Sequence, residues 1–315
     1  MSNKNLKIVF MGTPDFAIPT MEALCENYTV VSVVTKVDKP KGRGNKMASP
    51  PVKDLAIAKG IPVLQPETVK TEEFVKELKS FGADLFVTCA YGKILPQAVL
   101  DIPPMGTINV HASLLPKYRG SAPLWHMVIN GEKEVGVTTM LTDIGMDTGD
   151  MLLKYSMPLG EDTTMGEVHD MLSKAGGKLI VDTIEGILQG TITPVPQQDE
   201  EATHAPMISK EDGVINWSKP ASAIHNLVRG MNPFPAASTT KDGEVLKIYA
   251  TKPDMDASTG DKAPGTVIKT GDGIWVTTGQ GVIVIKELQG QGAKRMDAKA
   301  YLNGHPIKEG TVLGK

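Results

Sequence analysis

Three apolar runs, LKIVFMG at 6–12, YTVVSVVT at 28–35 and ADLFVTCAYG at 83–92, leave almost no polar side to turn toward water. A strand that is apolar on both faces must be covered on both faces, which is the position of a central strand in a parallel sheet between helices. The intervening stretches supply the cover. DFAIPTMEALCE, PPVKDLAIAKG and TEEFVKELKSFG carry apolar residues at helical spacing, with Pro near two of the starts and Gly60 as a stop. TINVHA at 107–112 is another buried strand, and EVGVTTMLTD at 134–143 alternates as one more. The segment from Thr163 to Gly190 reads as one long amphipathic helix, opened by a capping box of Thr164 and Glu167. Strands alternating with helices predict an α/β domain built on a Rossmann-like parallel sheet.

The texture changes at Pro206. TPVPQQDEEATHAP at 193–206 reads as a Pro-rich, acidic connection, dividing the chain into residues 1–206 and 207–315. Beyond it come one helix within SKPASAIHNLVRGM, capped at Ser218 or Ser222, and short β-rich pieces: EVLKIYATKP, PGTVIKT, GIWVTTG and GVIVIKELQ. Close spacing with Gly, Pro and Asp turns predicts a small antiparallel β-barrel, with a five-stranded OB-like barrel as one candidate. The two parts also differ in sign. Residues 207–315 hold 14 Lys and Arg against 11 Asp and Glu, whereas residues 1–206 hold 19 against 25. A mildly basic module beside an acidic one fits contact with a polyanion, although charge alone describes a solvated surface equally well. Two cysteines provide neither a disulfide framework nor a metal cluster. With no apolar run long enough to span a bilayer and a polar start lacking a secretory core, a soluble, cytoplasmic chain is expected.

Open parallel sheets bind ligands at the carboxyl ends of their strands. The first strand ends in Gly12-Thr13-Pro14-Asp15, which lacks the G-x-G-x-x-G that a dinucleotide pyrophosphate needs. Gly42-Arg43-Gly44 does not replace it, because no helix starts directly after. TINVHA instead ends with Asn109 and His111, two apart and so on one face of a strand. An amide donor beside an imidazole suits acyl transfer, where one stabilises an oxygen that becomes negative and the other manages a proton. Taken alone, N-x-H reads more simply as a satisfied strand-end pair. In TDIGMDTGDML, Asp143, Asp147 and Asp150 are separated by Gly145 and Gly149 in a tight turn. No Glu closes an EF-hand there, so a calcium loop is disfavoured. A carboxylate brought beside His111 would fix its tautomer. His126, His169, His204, His225 and His305 are scattered and are assigned no role.

N-V-H-A-S-L-L-P-K-Y-R-G followed by D-I-G-M-D-T-G resembles the folate-dependent formyltransferases. The opening F-M-G-T-P-D-F-A and the loop D-K-P-K-G-R-G-N-K-M-A-S-P-P-V-K are similar to the branch of that family acting on methionyl initiator tRNA. With the C-terminal barrel, the likeness spans essentially the whole chain. It implies transfer of the formyl group of 10-formyltetrahydrofolate to the α-amine of methionyl initiator tRNA, without a metal. Asn109, His111 and Asp147 match the catalytic trio. Ser113, Leu114, Leu115 and Pro116 match the folate-binding turn, and Tyr91, Gly92, Ile94 and Leu95 match the stretch lining the pterin pocket. The basic loop at 36–53, with Lys36, Lys39, Lys41, Arg43, Lys46 and Lys53 against Asp38, matches the insertion that enters the tRNA acceptor end. Lys41, Arg43 and Lys46 are its expected tRNA contacts. No membrane and no obligate protein partner are implied. Formyl transfer to an amino sugar nucleotide or purine precursor, and formyl-folate hydrolysis, share the trio. An RNA-binding module without turnover is the remaining alternative.

Overall fold

A computed structural model describes residues 3–41 and 46–315, with the side chains of Lys41 and Lys46 outside that description. The chain forms two compact units. One comprises Met1–Pro123, Glu134–Pro158 and His169–Pro206; the other comprises Leu124–Lys133, Leu159–Val168 and Met207–Lys315.

Among the described residues, nine strands belong to the first unit: β1 (Lys7–Gly12), β2 (Thr29–Val34), β3 (Lys39–Lys41), β4 (Lys46–Ala48), β5 (Val63–Leu64), β6 (Leu85–Cys89), β7 (Thr107–His111), β8 (Glu134–Leu141) and β9 (Met151–Pro158). Seven form one sheet in the order β5-β2-β1-β6-β7-β8-β9, while β3 and β4 pair as a hairpin within the basic loop. The strands from β5 to β7 run parallel, as the two-sided apolar runs require. β8 and β9 run antiparallel, so the sheet is mixed rather than wholly parallel. The edge strand β9 was not legible in the sequence, because only Leu152 is buried and Lys154, Tyr155 and Ser156 are exposed.

Helices α1 (Ile18–Asn27), α2 (Pro51–Ala58), α3 (Glu72–Ser80) and the short α4 (Gln97–Leu100) follow the parallel strands. Pro19 and Pro51 sit in first turns, where no amide hydrogen is missed. Thr71 caps α3 by accepting from the Phe74 amide. One face of the sheet, through Val9, Met11 and Phe86, packs on Phe74 and Leu78 of α3 and Val99 and Leu100 of α4.

After α5 (Pro123–Ile129), the long helix α6 (Met165–Leu188) opens with the expected capping box. Glu167 accepts from the Thr164 amide and hydroxyl, and the Glu167 amide donates back to Thr164 Oγ1. Two glycines in its middle let the helix approach its neighbours. A Cβ on Gly176 would lie 2.9 Å from Val110 Cγ1 on β7, and one on Gly177 would lie 2.7 Å from the Pro19 carbonyl oxygen of α1. Beyond them Ser173 Oγ donates to the Phe16 carbonyl at 2.7 Å, and the Thr139 and Thr183 hydroxyls meet at 2.8 Å. The helix thus backs the strand that carries Asn109 and His111.

In the second unit, β10 (Ala237–Lys241), β11 (Glu244–Asp254), β12 (Val267–Thr270), β13 (Ile274–Thr277), β14 (Val282–Gln289) and β15 (Met296–Asp297) form an antiparallel sheet ordered β10-β11-β14-β13-β12, with β15 on β14. Its inner face packs Ile248, Ile274, Val276, Ile283 and Ile285 against Ile224 and Val228 of α7 (Ala221–Gly230) and Ala298 and Tyr301 of α8 (Ala298–Gly304). The N-cap of α7 is Pro220, which makes no side-chain cap bond, so neither Ser218 nor Ser222 caps it. His225 is buried and structural: its ring nitrogens meet Thr251 Oγ1 at 3.0 Å and the Glu161 carbonyl at 3.1 Å, and burial holds its pKa below the usual value.

Gly177→Ala separates helix propensity from packing. Alanine favours the helix by about 1 kcal/mol, but the added methyl meets backbone that cannot swing aside, and such overpacking costs about 1–3 kcal/mol. Net destabilisation is expected, read as a lower urea midpoint at unchanged slope.

Candidate active site

β1, β6 and β7 are parallel, so their carboxyl ends, at Gly12, Cys89 and His111, lie along one edge of the sheet. Asn109 stands opposite Thr88 in register, and Thr88 Oγ1 donates to Asn109 Oδ1 at 2.8 Å. A hydroxyl donor on the amide oxygen fixes which way the amide points. Its NH2 group then faces Asp147, with Nδ2 donating to Oδ1 at 3.4 Å. His111, at the end of β7, is 5% exposed, and its Nε2 donates to the Tyr118 carbonyl at 2.9 Å. A carbonyl only accepts, so Nε2 carries the hydrogen and Nδ1 is the nitrogen left to exchange a proton. Nδ1 lies 3.6 Å from Asp147 Oδ2. The three expected residues therefore meet, and the imidazole is oriented from one side by backbone and from the other by carboxylate.

Asp147 comes to them along an indirect path. β8 runs antiparallel to β7, so the β8–β9 loop leaves beside Thr107, where the Thr142 amide donates to the Thr107 carbonyl at 2.8 Å. The loop then doubles back. Asp147 takes a left-handed conformation with φ of 56°, uncommon for a residue with a side chain. Three hydrogen bonds hold it there. The Gly120 amide donates to Oδ2 at 2.9 Å, and Gln197 Nε2 donates to the Asp147 and Gly149 carbonyls at 2.9 and 2.7 Å. Asp143 serves the loop itself, accepting from the Gly145 amide and Thr148 hydroxyl, and the Asp150 carbonyl accepts from the Leu141 amide. A Cβ on Gly149 would lie 1.9 Å from the Leu141 carbonyl oxygen, so only glycine closes the turn.

Tyr118, Gly120 and Gln197 also touch the trio or its turn, contacts for which the motifs gave no signal, and Gln197 lies in the stretch read as a plain connection. That stretch is part of the site's scaffold. Thr203 accepts from the Tyr118 and Arg119 amides through its hydroxyl and carbonyl, and the Ala205 amide donates to the Arg119 carbonyl. The buried Arg119 reaches Gln197 Oε1 with Nε at 3.0 Å and Asp199 Oδ1 with Nη2 at 2.9 Å. Spacing offered one signal: the polar QQD of this segment follows two prolines, which hold the chain extended.

The two expected ligand turns divide by exposure. Ser113 and Leu115 are buried, with Ser113 Oγ donating to the Lys117 carbonyl at 2.6 Å and the Leu115 amide donating to Thr138 Oγ1 at 3.1 Å. Leu114 and Pro116 remain accessible. In the other turn Tyr91 and Leu95 are buried, whereas Gly92 and Ile94 are exposed. Gly92, at φ of 72°, lets the Lys36 ammonium pack against the turn, since a Cβ there would lie 2.4 Å from Nζ. Burial lowers the Lys36 pKa, and Lys39 and Lys93 lower it further. The Tyr91 hydroxyl is buried without a hydrogen bond among the described residues, and burial pushes its pKa up to about 12. In the basic loop Lys53 pairs with Asp38 at 2.8 Å. Arg43 and the side chains of Lys41 and Lys46 lie outside the described residues. Among the described residues, no cluster of three or more His, Cys, Asp or Glu is arranged to hold a metal ion, and no helix is long and apolar enough to cross a membrane.

The family profile "Formyl transferase" matches residues 6–184, and "Formyl transferase, C-terminal domain" matches residues 207–306. The chain belongs to the formyl transferase family. This formyltransferase is 53% identical over 312 residues to the methionyl-tRNA formyltransferase of Acetivibrio thermocellus, covering 98% of this chain and 100% of the relative. It is 48% identical to that of Trichlorobacter lovleyi, covering 98% and 96%. Among solved structures it is similar in fold to the sugar 3N-formyl transferase WlaRD (TM-score 0.66, 18% identity, 92% of this chain and 99% of that one). HypX from Aquifex aeolicus in complex with tetrahydrofolic acid is similar too, at TM-score 0.62 and 16% identity, over 96% of this chain. The formyltransferase spans about half of the HypX chain, 48% of its length.

Gln197→Ala removes two of the three hydrogen bonds that hold the Asp147 turn and leaves His111 and Asn109 in place. Turnover is expected to fall about tenfold, in line with the loss of a fraction of a kcal/mol to 1.5 kcal/mol per bond. Gln197→Glu, which cannot donate to two carbonyls, should match it, and equal rates for all three proteins would dismiss the positioning role.

Proposed function

We propose that this chain transfers the formyl group of 10-formyltetrahydrofolate to the α-amino group of methionyl initiator tRNA. The observation that carries the reading is the convergence of Asn109, His111 and Asp147 at the carboxyl end of β7, in a chain about half identical to methionyl-tRNA formyltransferases over nearly its whole length. Residues 1–206 act as the catalytic domain and residues 207–315 hold the tRNA, with the antiparallel unit read as OB-like.

The folate co-substrate fits the turn at Tyr91–Leu95, where the exposed Gly92 and Ile94 offer backbone and an apolar side chain and the Tyr91 hydroxyl lacks a partner. Leu114 and Pro116 complete the apolar lining, while Ser113 and Leu115 act by shaping their turn. The incoming amine must be neutral to add to the formyl carbon, and an aminoacyl ester amine is acidic enough to be largely so near pH 7. As it adds, Asn109 Nδ2 and the imidazole stabilise the oxygen that gains negative charge, a contribution of about 2.7–4 kcal/mol per donor in comparable sites. Asp147, beside Nδ1, orients the imidazole, and the His111–Asp147 pair takes the amine's proton; the tetrahedral adduct then collapses with cleavage of the bond between the formyl carbon and folate N10, and that proton goes to N10 as tetrahydrofolate leaves. None of these steps calls on a metal. Lys41, Arg43 and Lys46 of the basic loop meet tRNA phosphates.

Asn109→Ala, His111→Ala and Asp147→Asn should each lower turnover at least 100-fold with folding intact, checked by circular dichroism. The deciding assay is formyl transfer to methionyl initiator tRNA, read by acid gel mobility beside uncharged tRNA and a free amino sugar. Transfer to the charged tRNA alone is expected. Folate consumed without formylated tRNA would leave the trio in place and remove the acceptor. Arg43→Ala should lose rate on tRNA while formyl-folate hydrolysis persists, and unchanged tRNA kinetics at low salt would count against the loop.

A further inference from the structure

β7, β8 and β9 place three side chains in one row: His111 stands opposite Thr138, and Thr138 opposite Lys154. Residues directly opposite on neighbouring strands share one face of a sheet. The other face belongs to α6, where Val110 packs on Gly176 and the Thr139 hydroxyl meets that of Thr183. The His111 row therefore lies on the face over which residues 113–118 fold back.

Both neighbours of His111 spend their polar atoms on that turn. Thr138 is fully buried, and its hydroxyl donates to the Ser113 carbonyl at 2.7 Å while accepting from the Leu115 amide at 3.1 Å. One hydroxyl thereby satisfies two buried backbone groups with its single hydrogen and a lone pair. Lys154 Nζ donates to the Leu115 carbonyl at 2.6 Å and pairs with no carboxylate among the described residues. Leu114 lies on Gly136, where a Cβ would be 2.5 Å from Leu114 Cδ2. The start of the turn is thus fastened to β8 and β9.

Its far end returns to His111. Ser113 Oγ donates to the Lys117 carbonyl at 2.6 Å, and the next carbonyl along, that of Tyr118, accepts from His111 Nε2 at 2.9 Å. Strand pairing and hydrogen bonds close a circuit from His111 through Thr138, Ser113 and Lys117 to Tyr118 and back. In a neutral imidazole the acceptor that faces a nitrogen decides whether that nitrogen keeps the hydrogen. A displaced Tyr118 carbonyl would let the hydrogen move to Nδ1, leaving no lone pair beside Asp147 to take a proton. Thr203 Oγ1 also accepts from the Tyr118 amide, so losing one brace loosens the carbonyl without freeing it.

We propose that Thr138 and Lys154 are positioning residues that act through the 113–118 turn to hold His111 with its hydrogen on Nε2. Their role in turnover rests on the formyl-transfer reading above and adds to it the reason the imidazole keeps one tautomer.

The test uses the full chain with isotope-labelled histidine, whose long-range hydrogen–nitrogen spectra distinguish a protonated ring nitrogen from a bare one, His111 being assigned by its loss in His111→Ala. Without substrate, the neutral His111 ring of the wild-type chain should carry its hydrogen on Nε2. Thr138→Val keeps the shape and removes the hydroxyl. It should give a mixture of tautomers and slow single-turnover formyl transfer about tenfold, with KM for methionyl initiator tRNA within about twofold. Thr138→Ser, which restores a hydroxyl, should recover both tautomer and rate. Lys154→Met should act in the same direction by about threefold, and Lys154→Arg should restore it. Lys154 is exposed on the edge strand, so its variants decide the matter where Thr138→Val does not fold. If either the tautomer or the rate keeps its wild-type value in both Thr138→Val and Lys154→Met, the proposal falls. A wild-type ring with its hydrogen on Nδ1 overturns it as well. A tautomer that shifts in these variants of a chain that makes no formylmethionyl-tRNA supports the hold on His111 and overturns the proposed acceptor.

Discussion

The site depends on one turn held against its own preference. Asp147 sits in the left-handed region, at a cost of about 1 kcal/mol or more for a residue with a side chain. What offsets that cost is a pair of hydrogen bonds from Gln197 and one from the Gly120 amide, all converging on a loop that would otherwise lie along the sheet edge. Without them the carboxylate would have no reason to double back from Thr107 to the far end of β7. The turn also couples distant sequence: β7 supplies the amide and imidazole, the β8–β9 loop the carboxylate, and the 193–206 segment the restraint. The groups that the proposed function calls on are thereby brought together from three chain segments that meet only in the folded state.

The change of strand direction after β7 makes this possible. In a wholly parallel sheet every strand-end loop would leave from the same edge, and the next carboxylate would come from the carboxyl end of a neighbouring strand. Here β8 runs the other way, so the loop that joins it to β9 starts at the opposite edge and doubles back to reach His111. The doubling back explains the glycines. Gly149 is squeezed against the Leu141 carbonyl, and Gly120 presents its amide to Asp147 from a φ of 120°. Each is a place where a side chain would push the carboxylate off the imidazole.

Much of this was legible in the sequence. The two-sided apolar runs placed β1, β2 and β6, the T-x-x-E pattern placed the start of α6, and the N-x-H pair with the D-x-G-x-D-T-G loop named the residues that do meet. What escaped has a common physical cause. β9 is a half-exposed edge strand whose polar residues resemble a loop, and the cap of α7 is a proline that offers no side-chain acceptor to look for. Gln197 and Thr203 were hidden because they act on backbone carbonyls and amides, and a residue bonded to backbone leaves no partner type in the sequence to match. The Tyr118 carbonyl is the extreme case, since any residue at 118 could present it.

Charge then sets the division of labour. Residues 1–206 carry 25 acidic against 19 basic side chains, so this stretch, taken as a whole, repels a polyanion. At physiological ionic strength that repulsion is screened beyond about 8 Å, and what an RNA strand meets is the local charge. The basic loop concentrates six Lys and Arg against one Asp in 36–53, and Asp38 takes Lys53 out of the count by a 2.8 Å pair. On the proposed function, an RNA acceptor end would be drawn to the basic stretch 36–53 and to the net-basic residues 207–315.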